Sequence, residues 1–565
     1  MSIVVKGNAA SIHYDKCDLV LKNAKFINVF TEEYSYGDIG IIDNEIIGVG
    51  KYDGYKEIDC TNKVVAPGFI DCHVHIESSM VTPRVYGDIA LRNGVTTVIA
   101  DPHEIANVQG TNGIDFMIEE SKLTPLDIYF MIPSCVPATR FEENGYTLNA
   151  VDLDKYLNNE MVLGLGEVMD VPSVINMDTA MMEKLFLFKD KIIDGHSPHA
   201  TGNILNQYIL SGISTDHECS THEEAIEKVS LGMHVLIREG SAAKNLKDLI
   251  GCINEKNYRR FAFCTDDRHV EDILEAGTIN NAVKNAIKLG MDPVKAYIIG
   301  SYNGYNCYGL NNKGAIAPGY IADLMILNDL ESVSIDTVIK GGKEYKGLVG
   351  AEEAKVIKNS MNISKIISDI FKVYKQGSKV NVIEVIPYSL ETNQLVINLS
   401  GQGEILDMLQ YEDVLKIGVF ERHKGSNHFG VGYLKGMGLK NCSIAQSIAH
   451  DSHNIIVVGD KDEDMAIAVN ELIDIGGGIV IVSKGKVVNS LPLEIGGVMT
   501  FASMDLVYER VKKLDESVKA FGLNEGIDPF ITLSFMSLPV IPNIKITTKG
   551  IFSYDSFNFI PLTFD

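Results

Sequence analysis

The stretch Ala66-Pro-Gly-Phe-Ile-Asp-Cys-His-Val-His75, followed at once by Ile-Glu-Ser-Ser79, decides the reading of this chain. Val64 to Ile70 is an apolar run that reads as a buried strand, and it ends in a small polar cluster. Side chains alternate along a strand with period two, so the imidazoles of His73 and His75 leave the same face. A rigid strand delivers two nitrogen ligands to one metal ion in this way. Taken alone, a His-x-His pair is as readily two solvated side chains, so the residues downstream have to decide.

From residue 64 to about 275 the chain repeats strand, loop and helix. Apolar strand candidates are Val64–Ile70, Val95–Ala100, Ile128–Ile132, Met161–Leu165, Lys191–Ile193, Gly212–Ser214, His234–Ile237 and Arg260–Cys264. Between them lie helical patterns at Pro83–Arg92, His103–Glu120, Thr179–Lys189, Ile204–Leu210, Thr221–Leu231 and Ala242–Ile253. Strands alternating with helices argue for a parallel α/β sheet, and a count of eight predicts a closed (β/α)8 barrel. No G-x-G-x-x-G opens the first helix, which counts against a dinucleotide fold.

The chemically able residues fall directly after these strands. The first is followed by His73, His75 and Glu77, the second by Asp101, His103 and Glu104, and the fourth by Glu167. His196 follows the fifth, Asp216, His217 and Glu218 the sixth, Arg238 and Glu239 the seventh, Asp266 and Asp267 the eighth. In a barrel all of these stand on the carboxyl-end rim, where barrel active sites are built. Six of them form a two-metal constellation: His73 and His75 on one ion, His196 and His217 on the other, Glu167 shared, and Asp266 completing the first. Imidazole with carboxylate suits zinc, manganese or iron. Two such ions about 3.5–4 Å apart lower the pKa of a shared water toward ~7, which gives a nucleophile at neutral pH.

Composition limits what such a site can serve. A chain of 565 residues exceeds one hydrophobic core, so two or three domains are expected. The formal net charge of −25 argues against nucleic acid or an anionic membrane as partner. Nine scattered cysteines without a Cys-x-x-Cys suit free thiols in a reducing compartment. No apolar run approaches the ~18–20 residues that span a bilayer, and the opening Met-Ser-Ile-Val-Val-Lys-Gly lacks a signal-peptide pattern. A cytoplasmic protein is the expectation.

Short β pieces between residues 18 and 66 and a return to β pattern at Gly314–Leu327 predict one small composite β domain, residues 1–65 plus 312–370, bracketing a barrel at 66–311. Residues 371–565 restart with strands such as Lys379–Ile386 and Gln394–Leu399 and form an additional C-terminal α+β domain. That last part carries His423, His428, His450 and His453. His450-Asp-Ser-His453 precedes the apolar strand Ile455–Val458 and so sits on a loop. Two readings stay open for it: a contribution over the barrel mouth, or buried histidines satisfied by backbone partners.

The run from Pro67 to His75, the single His196 and His217, and Asp266 resemble the amidohydrolase superfamily. Asp71-Cys-His-Val-His-Ile-Glu-Ser-Ser79, Asp101-Pro-His-Glu-Ile-Ala-Asn107, Gly166-Glu-Val-Met169 and Ser214-Thr-Asp-His-Glu218 are similar to its bacterial adenine deaminases, over nearly the whole chain. The resemblance implies hydrolytic deamination of adenine, a small purine base, to hypoxanthine and ammonia in purine salvage. It implies a pair of manganese or iron ions, ahead of zinc, and a homodimer is the expected assembly. Many binuclear relatives bridge their ions with a carboxylated lysine; Glu167 stands in that place, which disfavours a dihydropyrimidinase or dihydroorotase. The zinc nucleobase deaminases carry Pro-Cys-x-x-Cys, which is lacking here.

The catalytic proton carriers are expected to be Asp266 and Glu218, with Glu218 favoured to protonate the purine ring and His103 or Glu104 behind it. Glu77, Asp101, His103, Glu104, His450 and His453 are expected to bind substrate or support the ligands. Two competing functions are another amidohydrolase activity, such as cyclic-amide hydrolysis or deacetylation of an N-acetyl sugar phosphate, and a silent barrel that only binds. A phosphate-bearing substrate calls for a basic rim, where only Arg238 stands out, and a silent barrel should have lost ligands.

Overall fold

The long apolar run at 64–70 breaks at Gly68 into two strands that serve different sheets. A Cβ on Gly68 would lie 2.3 Å from Thr96 Oγ1, so the chain can step from one sheet to the other there only without a side chain. A computed structural model describes residues 16–348, 361–401 and 403–565. The opening residues read for a signal peptide lie outside these, as do parts of the expected ranges 1–65 and 312–370.

Before the step, Val64–Pro67 pairs in parallel with Cys17–Asn28 and antiparallel with Leu324–Asp329. The N-terminal strands and the segment after residue 312 thus share one sheet of eight strands, with its own core of Leu19, Leu21, Phe26, Ile39, Ile41, Leu324 and Ile326. After the step, the chain enters a series of parallel strands: β1 (Phe69–Val74), β2 (Val95–Ala100), β3 (Asp127–Ile132), β4 (Val162–Val168), β5 (Ile192–Gly195), β6 (Thr215–Asp216), β7 (His234–Arg238) and β8 (Phe261–Cys264). β1 to β5 form one sheet and β6 to β8 another.

Backbone hydrogen bonds cross both gaps. Ser214 N donates to Ile193 O at 3.0 Å between β5 and β6. Asp266 N donates to His73 O at 2.9 Å and His75 N to Asp266 O at 3.4 Å, tying the end of β8 to the end of β1. The outcome is a curled parallel sheet in an α/β arrangement. The strands run further toward the polar side than their apolar runs suggested, so His73, Glu167, Asp216 and Arg238 lie within strands rather than after them.

Two helical expectations change. His103–Glu120 is not one helix but two, His103–Gln109 and Thr111–Ser121. Gly110 divides them at φ +60°, with Tyr146 Cδ1 2.6 Å from where its Cβ would be. Ala242–Ile253 is helical only from Leu246 onward, because Gly240 and Ser241 hold the preceding residues in a loop against β8: Gly240 N donates to Ala243 O and Ser241 N to Asp267 O.

Residues 379–564 contribute a nine-stranded, mostly antiparallel sheet covered by the helix Asp462–Asp474, and a small three-stranded sheet at 544–560. This part packs onto the face where the parallel strands end. Thr548 Oγ1 donates to Glu143 Oε2 at 2.6 Å, Asn454 Nδ2 donates to Glu143 O at 2.6 Å, and Phe141 packs against Phe552, Phe557 and Phe559.

Candidate active site

All six residues read as metal ligands converge at the carboxyl ends of the parallel strands. His73 Nε2 lies 3.1 Å from His75 Nε2, and His75 Nε2 lies 3.1 Å from Asp266 Oδ1 and 3.4 Å from Glu167 Oε1. The other Glu167 oxygen faces His196 Nδ1 at 2.6 Å and His217 Nε2 at 3.3 Å. The His73 and His217 rings stack at 4.2 Å. Glu167 therefore stands between the two histidine pairs, and it lies in β4 with its own N–H donating to Asp101 Oδ2 at 3.0 Å.

Local folding aims each group. His75 Nδ1 sits 2.9 Å from Asp101 O, and a carbonyl can only accept, so Nδ1 carries a proton. In the neutral ring the lone pair is then on Nε2, in the cluster. Asp266 adopts φ +56°, a strained region for a residue with a side chain, and backbone bonds to His73 and His75 on both sides hold it there. Behind His196 and His217, Asp216 Oδ1 accepts from Ser197 N at 2.7 Å and Oδ2 accepts from Lys228 Nζ at 3.0 Å. Lys228 is fully buried, also reaches Glu224 Oε1 at 2.8 Å and Ser197 O at 2.8 Å, and so ties the two histidine loops together.

The donor set fits a cation. Among the described residues, His73, His75 and Asp266 form one group able to hold an ion, and His73, Glu167 and His217 another. Imidazole nitrogens and carboxylate oxygens facing one another in a buried space are suited to hold a cation between them. His103 joins the cluster from the second strand: its Nδ1 is buried without a hydrogen-bond partner, 3.3 Å from Glu167 Oε1, within a further possible group with His75 and Glu167.

Charge is balanced by Arg238, which the sequence reading placed only as a basic rim residue. Its guanidinium contacts Glu218 and donates to Asp266 Oδ2 at 2.8 Å. Burial alone would push both carboxyls up, but Arg238 and the neighbouring imidazoles hold both well below the ordinary carboxylate range. Glu218 also lies 3.3 Å from His217 Nε2. Glu77 is set back: its Oε1 accepts from Ile105 N at 3.2 Å, and burial pushes its carboxyl up to about 7.

The cluster opens into a cavity of about 830 Å³, within the range of small-molecule sites. Its floor includes His75, Glu167, His196, Glu218 and Asp266; its walls include Phe141, Phe535, Leu538, Ile541 and Tyr554. The wall residues were not singled out in the sequence, because apolar residues on irregular loops carry no periodic signal. His450 lines the cavity, with Nδ1 2.6 Å from Glu104 Oε1, and His453 contacts Glu104 Oε2. His423 and His428 play no part here; His423 Nε2 bonds to Ser452 O at 2.8 Å, and His428 is exposed against Glu143.

The amidohydrolase family profile matches residues 64–345, and the profile of the adenine deaminase C-terminal domain matches residues 389–558. The chain is similar to an adenine deaminase of Clostridium acetobutylicum, 47% identical over 96% of this chain and 97% of that protein. Adenine deaminases of Geobacillus kaustophilus and Bacillus subtilis are each 44% identical over 98% of both chains.

Proposed function

The chain belongs to the adenine deaminases of the amidohydrolase family and deaminates adenine, and we propose that it does so at the cluster around Glu167, by hydrolysis to hypoxanthine and ammonia. The observation that carries this assignment is a carboxylate, Glu167, between two histidine pairs, with Asp266 and Glu218 beside it under one arginine.

In this reading His73, His75, Glu167, His196, His217 and Asp266 would hold the metal, with manganese or iron expected. The ions supply a water acidified enough to be a nucleophile at neutral pH. The protein's own part is orientation and proton transfer. Arg238 keeps Asp266 and Glu218 ionised, so each begins the cycle as a base. Asp266 Oδ1, which faces the His73 and His75 nitrogens, takes the proton of the attacking water. Glu218, beside His217, accepts the second proton of that water from the hydroxyl formed at the reacting carbon and passes it to the adjacent ring nitrogen. The amine leaves as ammonia on receiving the proton that Asp266 took.

The finer architecture is part of the same inference. The two parallel sheets are read as one (β/α)8 barrel at 66–311, closed at the Ser214–Ile193 and Asp266–His73 seams. Residues 1–65 with 312–370 are read as its β companion, and 371–565 as the C-terminal domain. The test is to purify the protein from manganese-supplemented growth, measure metal per chain, and follow loss of adenine in the ultraviolet. Conversion to hypoxanthine with about two ions per chain is expected. Metal without adenine turnover would overturn the substrate assignment, and turnover in metal-stripped protein would overturn the site.

A further inference from the structure

The C-terminal part places His450, Asp451 and Tyr554 in the lining of the cavity, and the reaction above uses none of them. His450 is held from three sides. Its Nδ1 is 2.6 Å from Glu104 Oε1, its ring stacks on Phe535 at 4.4 Å and 22°, and Ser537 Oγ donates to its backbone carbonyl at 3.3 Å. Glu104 is in turn fixed by His453 on its other oxygen, and His453 Nδ1 accepts from Ala449 N at 3.3 Å. His453 is thus fully occupied within the protein. His450 is not: Nε2 has no hydrogen-bond partner among the described residues, and the residue lines the cavity. An imidazole oriented by a buried carboxylate with its second nitrogen toward an open space is arranged to bind something there.

The position of the pair selects the part of the substrate. Glu104 follows β2, whereas Glu218, Arg238 and Asp266 stand at the ends of β6, β7 and β8, across the ring of strands. In adenine the reacting carbon is flanked by N1 on one side and by the five-membered ring with N7 on the other. A purine bound with N1 toward Glu218, as the proposed reaction requires, would turn N7 toward Glu104 and His450. We propose that His450 is the purine-reading residue of this enzyme, donating Nε2–H to N7, with Glu104 as its positioning residue and Phe535 as its backing.

The charge state suits a donor. Burial pulls the His450 imidazole down, but the Glu104 carboxylate, with Asp267 and Asp451 nearby, outweighs this and carries it up to about 9. Both ring nitrogens then hold protons, one for Glu104 and one for the base. N7 of adenine is an acceptor and can take it.

This inference rests on the adenine deaminase reading, so wild-type adenine turnover is measured first; its failure would count against that reading, and this one would fall with it. The decisive comparison uses 7-deazaadenine, in which N7 is a C–H, and 3-deazaadenine as competitive inhibitors of adenine turnover. Wild type should bind 7-deazaadenine about 10- to 100-fold more weakly than 3-deazaadenine, the loss expected for one charge-assisted hydrogen bond. In His450→Phe, kcat/KM for adenine should fall by a similar factor and the gap between the inhibitors should close, at unchanged metal content. Glu104→Gln keeps a partner for Nδ1 and should narrow the gap by less, which covers a His450 variant that fails to fold. A merely structural role would weaken both inhibitors alike. An inhibitor gap unchanged in His450→Phe, or absent in wild type, would overturn the proposal.

Discussion

Replacing Lys228 with methionine tests whether the two histidine loops are held by charge. Lys228, Asp216 and Glu224 are all buried, and Lys228 is the cation for both carboxylates. Methionine keeps the stem of the side chain and removes the ammonium, leaving two carboxylates facing each other without compensation. The least costly response is for one to protonate. For Asp216, with an ordinary pKa of ~3.9, holding a proton at pH 7 costs about 3 units at ~1.4 kcal/mol each, roughly 4 kcal/mol. That agrees with the ~3–5 kcal/mol found when one partner of a buried ion pair is removed.

The sign with pH is distinctive. In the wild type burial pushes Asp216 up, but Lys228 and His217 hold it below its ordinary value, so its stabilisation is present above ~3.9 and is lost only as pH falls through the lower folded value. In the variant the folded pKa is raised, so the penalty grows above ~3.9 and shrinks toward it: about 4 kcal/mol at pH 7 and about 1.5 at pH 5. Calorimetry or circular dichroism on metal-stripped proteins should show Lys228→Met melting about 8–16 °C below wild type at pH 7 and only about 3–6 °C below at pH 5. A deficit under about 2 °C at pH 7, or one that is equal at both pH values, would refute the argument.

Three further perturbations bear on the site and the fold. Glu167→Gln removes the charge shared by the two histidine pairs; metal content by elemental analysis should drop to about one ion per chain or fewer, with turnover down at least ~100-fold. Arg238→Gln removes the cation that holds Glu218 and Asp266 down, so both carboxyls should rise: the acid limb of kcat/KM moves to higher pH, and activity at pH 6 falls more than at pH 8. Gly68→Ala forces a methyl to within 2.3 Å of Thr96 Oγ1, overpacking that should cost ~1–3 kcal/mol and lower the melting temperature by several degrees, with metal content retained.

The parallel strands were legible because their burial on both faces leaves continuous apolar runs, and a polar residue at the end of each run marks where burial stops. Their ends were less legible. Glu167 and Arg238 belong to strands, since the backbone ladder continues after the apolar pattern has ended. The division of 64–70 was hidden for a related reason: Val64–Pro67 and Phe69–Val74 are equally apolar, and only the close approach of Thr96 to Gly68 separates them. Likewise Gly110 stands within a helical pattern, and nothing local shows that Tyr146 occupies the space beside it.

The site divides the same way. His73, His75, Glu167, His196, His217 and Asp266 could be found because each stands at or just past the end of an apolar strand run, and the ends of neighbouring parallel strands meet in space whatever their separation in sequence. No such rule reaches the opposite wall. Glu104 and His450 are 346 residues apart, and their 2.6 Å contact depends on how residues 379–564 seat on the strand ends. A His-x-x-His on a loop shows ability to bind, but its partner and its free nitrogen are set by packing. The same seating brings Phe535 and Tyr554 into the lining of the cavity. The parallel strands therefore carry the histidine and carboxylate cluster, while the C-terminal part lines the cavity above it, and that second contribution lies in long-range contacts that a local pattern does not encode.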